Sequence, residues 1–305
     1  MLEKNKVKIL GTGVATLDIY PNQKRMYPGG NEYNIACNAA YLGAEAGFLG
    51  VFANDQAGEI LEGTLKNLGV DASFSHHEEG ASGYSLVELK EDGDRVFLMW
   101  NKEGVTDLYP ISFTEEEIAY VKEYDVICMG RLCCVDLAHI KRLAKDHDVD
   151  ICYDFHAAFS EEVIREIAPY ITYGFFSCWH LKEEEIKKYL KLTVDLGCKI
   201  AVGTRGNEAV IAYDGNEFYK QDTMDIEATD TLGAGDSYIA AFLAQYLAYE
   251  KQEEKKESLK RQQALQEALA VAARHAAKVI QMDGSIGVGF DFDPPTLKDL
   301  VNGIS

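Results

Sequence analysis

Short apolar runs alternate with amphipathic stretches along the chain, and from residue 124 onward the alternation is regular. The short runs are typical of buried strands, and the amphipathic stretches are typical of helices that cover them. Strand, helix and strand in this order form right-handed crossovers and a mostly parallel sheet. We therefore expect an α/β fold with a doubly wound sheet flanked by helices. The predicted strands are Asp125–Met129, Ile151–Tyr153, Gly174–Phe176 and Lys199–Val202, and the predicted helices are Leu137–Ala144, Val163–Ile167 and Lys182–Leu196.

Two segments depart from this rhythm. Residues 83–100 contain two strand-like runs around a turn at Glu91-Asp-Gly93, which predicts a β-hairpin. Residues 14–28 also have an extended pattern. Together they predict a small antiparallel layer, a lid formed by about residues 14–30 and 82–105, on a single domain that spans residues 1–305.

The stretch Asp230-Thr-Leu-Gly-Ala-Gly-Asp-Ser237 stands where a helix is predicted to begin. Apolar residues between Ile239 and Leu247 follow at helical spacing and define one buried face. Gly233-Ala-Gly235 is then the helix entrance, where unpaired N–H groups favour an anion and glycine lets it approach closely. Asp236 at this place is also explained as a simple N-cap, but a cap accounts for neither the two glycines nor Asp230.

A phosphoryl group in transit explains the whole combination. Negative charge would grow on oxygens beside the backbone amides, while Asp236 accepts the proton of an attacking hydroxyl. The sequence thus predicts phosphoryl transfer at the entrance of this helix.

Composition narrows the class of partner. The chain has 305 residues, and its 30 basic and 50 acidic residues give a net charge of −20, which disfavours nucleic acid and anionic membranes as partners. Because no run of about 18 apolar residues occurs, we expect a cytoplasmic protein. The seven cysteines include no Cys-x-x-Cys pair, which predicts buried thiols. A metal site was considered for Cys128, Cys133, Cys134 and His139, but their spacing matches no usual ligand pattern.

The motif at 230–237 resembles the C-terminal signature of the ribokinase-like (PfkB) carbohydrate kinases, and Gly29-Gly-Asn-Glu-Tyr-Asn34 resembles their substrate motif. This resemblance covers nearly the whole chain. It implies a doubly wound α/β domain with a β-lid, ATP as phosphoryl donor, Mg²⁺, a sugar-like acceptor and a homodimer formed through the lids. Further matching positions are Leu42-Gly43, Gly50, Asp55, Gly58 and Thr204-x-Gly206.

The resemblance also implies roles for individual residues. Asp236 would be the base, and the amides of Gly233, Ala234 and Gly235 would form the anion hole. The acceptor would be held by Asp18, Gly29, Gly30, Asn31, Asn34 and Arg95. The nucleotide would contact Thr204, Arg205, Gly206, Ala272, Ala276 and Val279, and Asp230 would bind a monovalent cation such as K⁺.

Each of these assignments has a plainer alternative. Asn31 is equally explained as a helix cap, and Asn34 as a surface residue. The turn at Thr204 is a normal end of a strand, and the Ala-rich face of the helix Ala268–Ile280 is explained by packing.

One departure from the family concerns the metal. Ser177-Cys-Trp-His180 stands where the family often has Asn-x-x-Glu, whose acid organises Mg²⁺. Glu183 or Glu184 would have to replace it.

Within the family, the chain resembles most closely the fructoselysine 6-kinase branch, which also lacks that acid. The resemblance implies a fructosamine acceptor, with Glu32 or Glu103 attracting its amine unless these glutamates are merely solvated. Other kinases of this fold, acting on fructose, ribose or 2-keto-3-deoxygluconate, and a non-catalytic sugar-binding regulator remain alternatives.

A dinucleotide fingerprint at Gly11-Thr-Gly-Val-Ala-Thr16 fails at its third glycine. The resemblance to the fructoselysine 6-kinase branch is carried by Leu17-Asp-Ile-Tyr-Pro21, Gly29-Gly-Asn31, Asp94-Arg-Val-Phe97 and Glu103-Gly-Val105.

Overall fold

The computed structural model describes residues 6–89, 95–252 and 258–292. The strands are β1 (Lys8–Gly13), β2 (Thr16–Tyr20), β3 (Arg25–Gly29), β4 (Glu45–Ala53), β5 (His76–Glu78), β6 (Gly83–Leu89), β7 (Arg95–Trp100), β8 (Val126–Gly130), β9 (Ile151–Asp154), β10 (Tyr173–Ser177), β11 (Ile200–Arg205), β12 (Glu208–Tyr213), β13 (Phe218–Gln221) and β14 (Phe290–Asp291). The helices are α1 (Asn31–Tyr41), α2 (Gln56–Leu68), α3 (Val105–Leu108), α4 (Glu115–Val121), α5 (Leu137–Asp146), α6 (Glu161–Ile167), α7 (Glu183–Asp195), α8 (Ala234–Glu250) and α9 (Ser258–Val279), with short 3₁₀ turns at Pro21–Gln23 and Ala168–Tyr170.

The larger sheet confirms the predicted α/β fold. Within the described residues it has nine strands in the order β13-β12-β11-β10-β9-β8-β1-β4-β5. Seven neighbouring strands of this sheet pair in parallel, in the order β5, β4, β1, β8, β9, β10 and β11. Parallel neighbours of this kind require crossover connections. Strands β12 and β13 add antiparallel pairs at one edge, because the turn from β11 to β12 is too short for a crossover.

Helices cover both faces of this sheet. One apolar cluster joins its strands to α1, α2, α8 and α9, and includes Ile35, Leu65, Phe242 and Leu269. The other joins the opposite face to α4, α5, α6 and α7. The central strand β8 is buried along its whole length, as expected for a parallel strand covered on both sides.

The smaller sheet uses the two segments that depart from the βαβ rhythm. Its order is β14-β3-β2-β6-β7. Two features were not predicted: β14 adds a strand, and β2 pairs with β6 in parallel rather than antiparallel. The predicted turn at 91–93 lies outside the described residues. Tyr84 on β6 is 6% exposed and packs in the core, so it is not an exposed aromatic of the lid.

Other boundaries and burial differ only in detail from the prediction. The helix α9 begins at Ser258, ten residues before the predicted Ala268 and inside the charged segment between Glu250 and Arg261. Six of the seven cysteines are buried and Cys134 is partly exposed, which confirms the buried thiols for all but Cys134. In the part of the chain that the structure describes, no helix has the length and apolar character needed to span a bilayer.

The strand order changes direction at β1, which lies between β8 and β4. Open α/β sheets bind ligands beyond the carboxyl ends of the strands at such a switch point. Here the two carboxyl ends are Gly13 of β1 and Gly130 of β8. The first turns of α1 and α8 lie above this edge.

Candidate active site

Asp236 lies in the first turn of α8 and faces α1. The helix is capped by Gly233, which has a φ of 73° and makes no side-chain cap. The Asp236 carboxylate instead accepts hydrogen bonds from Asn34 Nδ2 at Oδ2 and from Asn31 Nδ2 at Oδ1, both at 2.7 Å. The N-cap alternative for Asp236 therefore does not describe its contacts. The two motifs, far apart in sequence, meet through these three side chains.

The start of α1 explains why Asn31 is available for this contact. The residue that caps the helix is Gly30, with a φ of 117° and no side-chain cap. A β-carbon on Gly30 would lie 2.1 Å from Val14 O, so glycine is needed for the close approach. The Asn31 amide also donates to Asp154 Oδ2 at 3.1 Å, and Asn31 is thus not acting as a helix cap.

Asn34 is held by a second set of contacts. It is 3% exposed, so it is not a surface residue. Ser285 Oγ donates to Asn34 Oδ1 at 2.7 Å, which fixes the amide with Nδ2 towards Asp236. A β-carbon on Gly29 would lie 2.2 Å from Asp18 Oδ2 and 3.9 Å from Asn34 Oδ1. Asp18 on β2, Gly29 at the end of β3 and Asn34 on α1 therefore lie next to one another.

The entrance of α8 has open space on one side. A β-carbon on Gly235 would meet nothing within 4 Å, whereas one on Gly233 would lie 2.5 Å from Ser285 Cβ. The Ala234 N–H donates to Thr231 O at 3.3 Å. The side-chain position of Gly235 thus faces open space, whereas that of Gly233 is filled by Ser285. The anion-hole role remains a prediction.

Asp230 connects the small sheet to the loop before α8. It is 2% exposed, and its Oδ2 accepts from Tyr20 Oη at 2.8 Å and from the Gly284 N–H at 3.0 Å. Its Oδ1 accepts from the Leu232 N–H at 2.9 Å. These three donors pair both oxygens of the buried carboxylate. The K⁺ site expected at Asp230 remains a prediction.

The residues predicted for the nucleotide phosphates lie at the carboxyl end of β11. Thr204 O accepts from the Cys178 N–H at 2.7 Å, and His156 O accepts from the Ser177 N–H at 3.0 Å. The loops after β9, β10 and β11 therefore run side by side from the Asp236 region to this turn. Gly206 has a φ of 62° and open space around it, and Arg205 pairs with Glu208.

The residues predicted for the adenine pocket lie on α9. Ala272 and Val279 have no solvent exposure, and Ala276 packs partly buried against the same core. The packing alternative fits Ala272 and Val279, which leaves Ala276 as the better candidate for a nucleotide contact. The carbonyl of Ile280, just after α9, accepts from the Asp230 N–H at 3.1 Å.

The remaining predicted residues are less informative. Arg95 begins β7, and its side chain lies outside the described residues. Glu183 pairs with Lys187 and Lys220, each at 2.7 Å, and these hydrogen bonds lower the pKa of Glu183 to about 2. It is thus engaged by two cations. No group of three or more His, Cys, Asp or Glu side chains in the described ranges is arranged as a metal site.

The sequence analysis did not identify Asp154, which ends β9 and shares the Asn31 amide with Asp236. It is 6% exposed, and its Oδ1 accepts from the His156 N–H at 2.8 Å. The signal was present, since a carboxylate directly after the buried run Ile151–Tyr153 lies at the ligand-binding edge of a parallel sheet. Ser285 carried no comparable signal.

The electrostatics of Asp236 follow from this surrounding. Desolvation raises the pKa of Asp236 to about 6, the hydrogen bond from Asn34 lowers it, and the charge of Asp154 raises it. A carboxylate with a pKa of about 6 is ionised at neutral pH and is a stronger base than an ordinary aspartate. The site thus has the geometry and basicity to take a proton from a hydroxyl.

Glu32 is not the solvated residue that its sequence context allowed. It is fully buried, and its Oε2 accepts from the Val14 N–H at 3.1 Å. Burial, together with the charges of Asp236 and Asp154, raises the pKa of Glu32 to about 8. Glu32 therefore interacts electrostatically with both Asp236 and Asp154.

Comparison with known proteins places this geometry among kinases. The pfkB family carbohydrate kinase model matches residues 8–288. The chain is 33% identical over 239 residues to "Fructosamine kinase FrlD" of Bacillus subtilis (strain 168), covering 78% of this chain and 82% of that protein. It is 30% identical over 238 residues to "Fructoselysine 6-kinase" of Escherichia coli (strain K12), covering 78% of this chain and 88% of that protein.

Solved structures show the same fold. Ribokinase from Giardia lamblia superposes with a TM-score of 0.75 at 16% identity, covering 92% of this chain and 94% of that one. Fructokinase with bound ATP from Xylella fastidiosa gives a TM-score of 0.72 at 16% identity, with the same coverage. At such identities the likeness shows the fold alone, and it confirms the ribokinase-like architecture with a large sheet and a second small sheet.

Proposed function

The chain belongs to the pfkB family of carbohydrate kinases, and from this premise we propose that its acceptor is a fructosamine, a ketose joined to an amine. It is a sugar kinase, which transfers a phosphoryl group to a hydroxyl. The observation that supports transfer at this site is the contact of Asp236 with both Asn31 and Asn34. Two of the relatives of 30% identity or more, whose names state fructosamine and fructoselysine as substrates, support the choice of acceptor.

In the proposed reaction, Asp236 takes the proton of the acceptor's primary hydroxyl as that oxygen attacks the γ-phosphorus in line. Asn31 and Asn34 orient the carboxylate through one hydrogen bond to each of its oxygens. Asp18, Gly29 and Gly30 line the acceptor side, with carboxylate and backbone groups suited to sugar hydroxyls. The start of α8 faces the charge that grows on the phosphoryl oxygens.

ATP is the proposed phosphoryl donor and Mg²⁺ its counter-ion. Thr204, Arg205 and Gly206 are the proposed phosphate contacts, and Ala276 is the proposed contact on α9. Mg²⁺ in such sites is usually bound by substrate phosphates, waters and one or two carboxylates. Asp154 is the carboxylate nearest to Asp236 by hydrogen-bond connection, through the amide of Asn31. The cytoplasmic location expected from the sequence remains a prediction.

A panel of acceptors tests the proposal. ADP release is measured with fructoselysine, fructose, ribose and 2-keto-3-deoxygluconate, with the Asp236→Asn variant as the negative control. We expect fructoselysine to give the highest kcat/KM. A higher value for another sugar would identify a different kinase of this fold. Binding of sugar and ATP without ADP release would instead identify a sugar-binding regulator.

A homodimer through the small sheet is also proposed. In the described part of the lid, the edge strand β7 exposes apolar side chains from Val96 to Trp100, and Phe97 and Trp100 are 49% and 58% exposed. An edge strand with such a surface is suited to pairing with a second copy. Light scattering of the protein and of a Trp100→Lys variant tests it, and a wild-type monomer would refute it.

A further inference from the structure

The carboxyl ends of β1 and β8 are both glycines, and Glu32 occupies the space between them. A β-carbon on Gly13 would lie 2.5 Å from Glu32 Oε2, and one on Gly130 would lie 2.9 Å from Glu32 Oε1. Side chains at either strand end would thus fill this place. The two glycines leave room at the switch point of the sheet, directly below the first turn of α1.

Three polar atoms from separate elements face Gly130. A β-carbon there would lie 2.9 Å from Asn31 Oδ1, 2.9 Å from Glu32 Oε1 and 3.1 Å from His156 Nε2. Each of these atoms is buried and has no hydrogen-bond partner among the described residues. Buried polar atoms are normally paired, so a converging group of unpaired ones indicates a missing ligand atom.

The three atoms that face Gly130 have the character of hydrogen-bond acceptors. Asn31 Nδ2 donates to Asp236 and Asp154, so the other pole of its amide, Oδ1, is an acceptor. His156 Nδ1 faces Asp154 Oδ2 at 3.5 Å, which favours the proton on Nδ1 and leaves Nε2 as an acceptor. Glu32 Oε1 accepts when the carboxyl is ionised. The group therefore suits a ligand that brings N–H donors.

Charge favours the same kind of ligand. Glu32 and Asp154 are buried and Asp236 is partly buried, and the three form one acidic group. The charges of Asp154 and Asp236 raise the pKa of Glu32, and that of Asp154 raises the pKa of Asp236. At Asp236, hydrogen bonds from the neutral amides of Asn34 and Asn31 oppose this repulsion by lowering the pKa. A water molecule would satisfy the acceptors but would not relieve the repulsion, whereas a cation does both.

We propose that Asn31, Glu32 and His156 form a subsite around Gly130 for the protonated amine of the acceptor. Asn31 Oδ1 and Glu32 Oε1 accept the two N–H groups of a secondary ammonium, and His156 Nε2 accepts from a neighbouring hydroxyl. The Asn31 amide then contacts the acceptor's amine through Oδ1 and Asp236 through Nδ2. It therefore relates the position of the amine to that of the carboxylate that receives the hydroxyl proton. This inference rests on the proposed fructosamine acceptor and names the residues that would select it.

Selectivity between two acceptors of which only one carries the secondary amine tests this subsite. The value of kcat/KM is measured for fructoselysine and for fructose, with the wild type and with Glu32→Gln. Loss of a buried charge-assisted hydrogen bond should lower the ratio of fructoselysine to fructose by about 10- to 100-fold. Glu117→Gln is the matched control, because Glu117 is also a buried glutamate but lies on α4 with His76 and Thr114 as partners. It should leave the ratio unchanged.

A second variant acts by volume rather than charge. Gly130→Ala places a methyl group against all three acceptors and should also lower the fructoselysine ratio, with folding checked by circular dichroism. An unchanged ratio in both variants, or an equal loss with both acceptors, overturns the subsite and assigns the group to a structural water only. A wild type that phosphorylates fructose but no fructosamine overturns the proposed acceptor as well.

Discussion

Asn34 Nδ2 and Asp236 Oδ2 lie 2.7 Å apart, although 202 positions separate the two residues in the chain. This hydrogen bond joins the first turn of α1 to the first turn of α8, the two helices that begin above the switch point. Because Ser285 holds the opposite pole of the Asn34 amide, the donor cannot rotate away without losing a buried bond. The carboxylate is thus preorganised before any acceptor arrives.

Replacing Asp236 by Asn removes the proposed base and keeps the shape. We expect kcat to fall by about 10²- to 10⁴-fold, the usual range for a positioned base, as measured by steady-state ADP release. Thermal unfolding at pH 7 checks that the variant folds, and we expect a modest loss of stability, because the new amide offers one oxygen where Asn31 and Asn34 each donate to a separate oxygen of Asp236. Asp195→Asn, an exposed residue on α7, is the control and should change neither quantity. Retention of most of the turnover by Asp236→Asn would refute its role.

The pH profile should report the environment of Asp236. Since the base acts in its ionised form, kcat/KM should rise with pH through about 6, the value to which desolvation raises the pKa of Asp236. The charge of Asp154 contributes to that increase, so Asp154→Asn should move the acid limb to lower pH. An acid limb that stays in place in this variant would contradict the coupling between the two carboxylates.

The fold was predictable where a local pattern decides it. The run Ile151–Tyr153 marked β9, whose observed bounds are Ile151–Asp154, because a fully buried strand must be apolar throughout. The strand β14 was not predictable, since its two residues, Phe290 and Asp291, pair with β3 only through the tertiary fold. The parallel pairing of β2 with β6 has the same origin.

The site was predictable to the extent that motifs mark it. The segments around Asn34 and Asp236 were recognised separately, and their contact follows from the fold. Asp154 and His156 were missed because each meets α1 across more than a hundred positions. In addition, His156 adopts a φ of 53°. This left-handed conformation is uncommon for residues other than glycine, and the local sequence does not predict it. Glu32 was noted, but its complete burial depends on the glycines at two distant strand ends.

Glu32 should make stability depend on pH. Its folded pKa of about 8 lies above the ordinary value of 4.5, so the folded state binds more protons than the unfolded state between these values. The free energy of unfolding should therefore fall as pH rises from 4.5 to 8, by up to a few kcal/mol. Urea unfolding at several pH values should show this slope in the wild type and a flatter one in Glu32→Gln. Equal slopes in both proteins would contradict the raised pKa.

Tyr20 and Tyr27 offer a matched pair for the connection between the small sheet and the α8 entrance. Their rings pack edge to face with centroids 5.1 Å apart, yet Tyr20 Oη donates to Asp230 Oδ2. In contrast, Tyr27 Oη is buried and has no hydrogen-bond partner in the part of the chain that the structure describes. Tyr20→Phe should lower the free energy of unfolding by about 1.5–3 kcal/mol, since the bond is to a buried charged group. Tyr27→Phe should be neutral or stabilising, because it removes an unsatisfied hydroxyl. Chemical denaturation measures both, and an equal cost for the two variants would show that Asp230 does not depend on its contact with Tyr20.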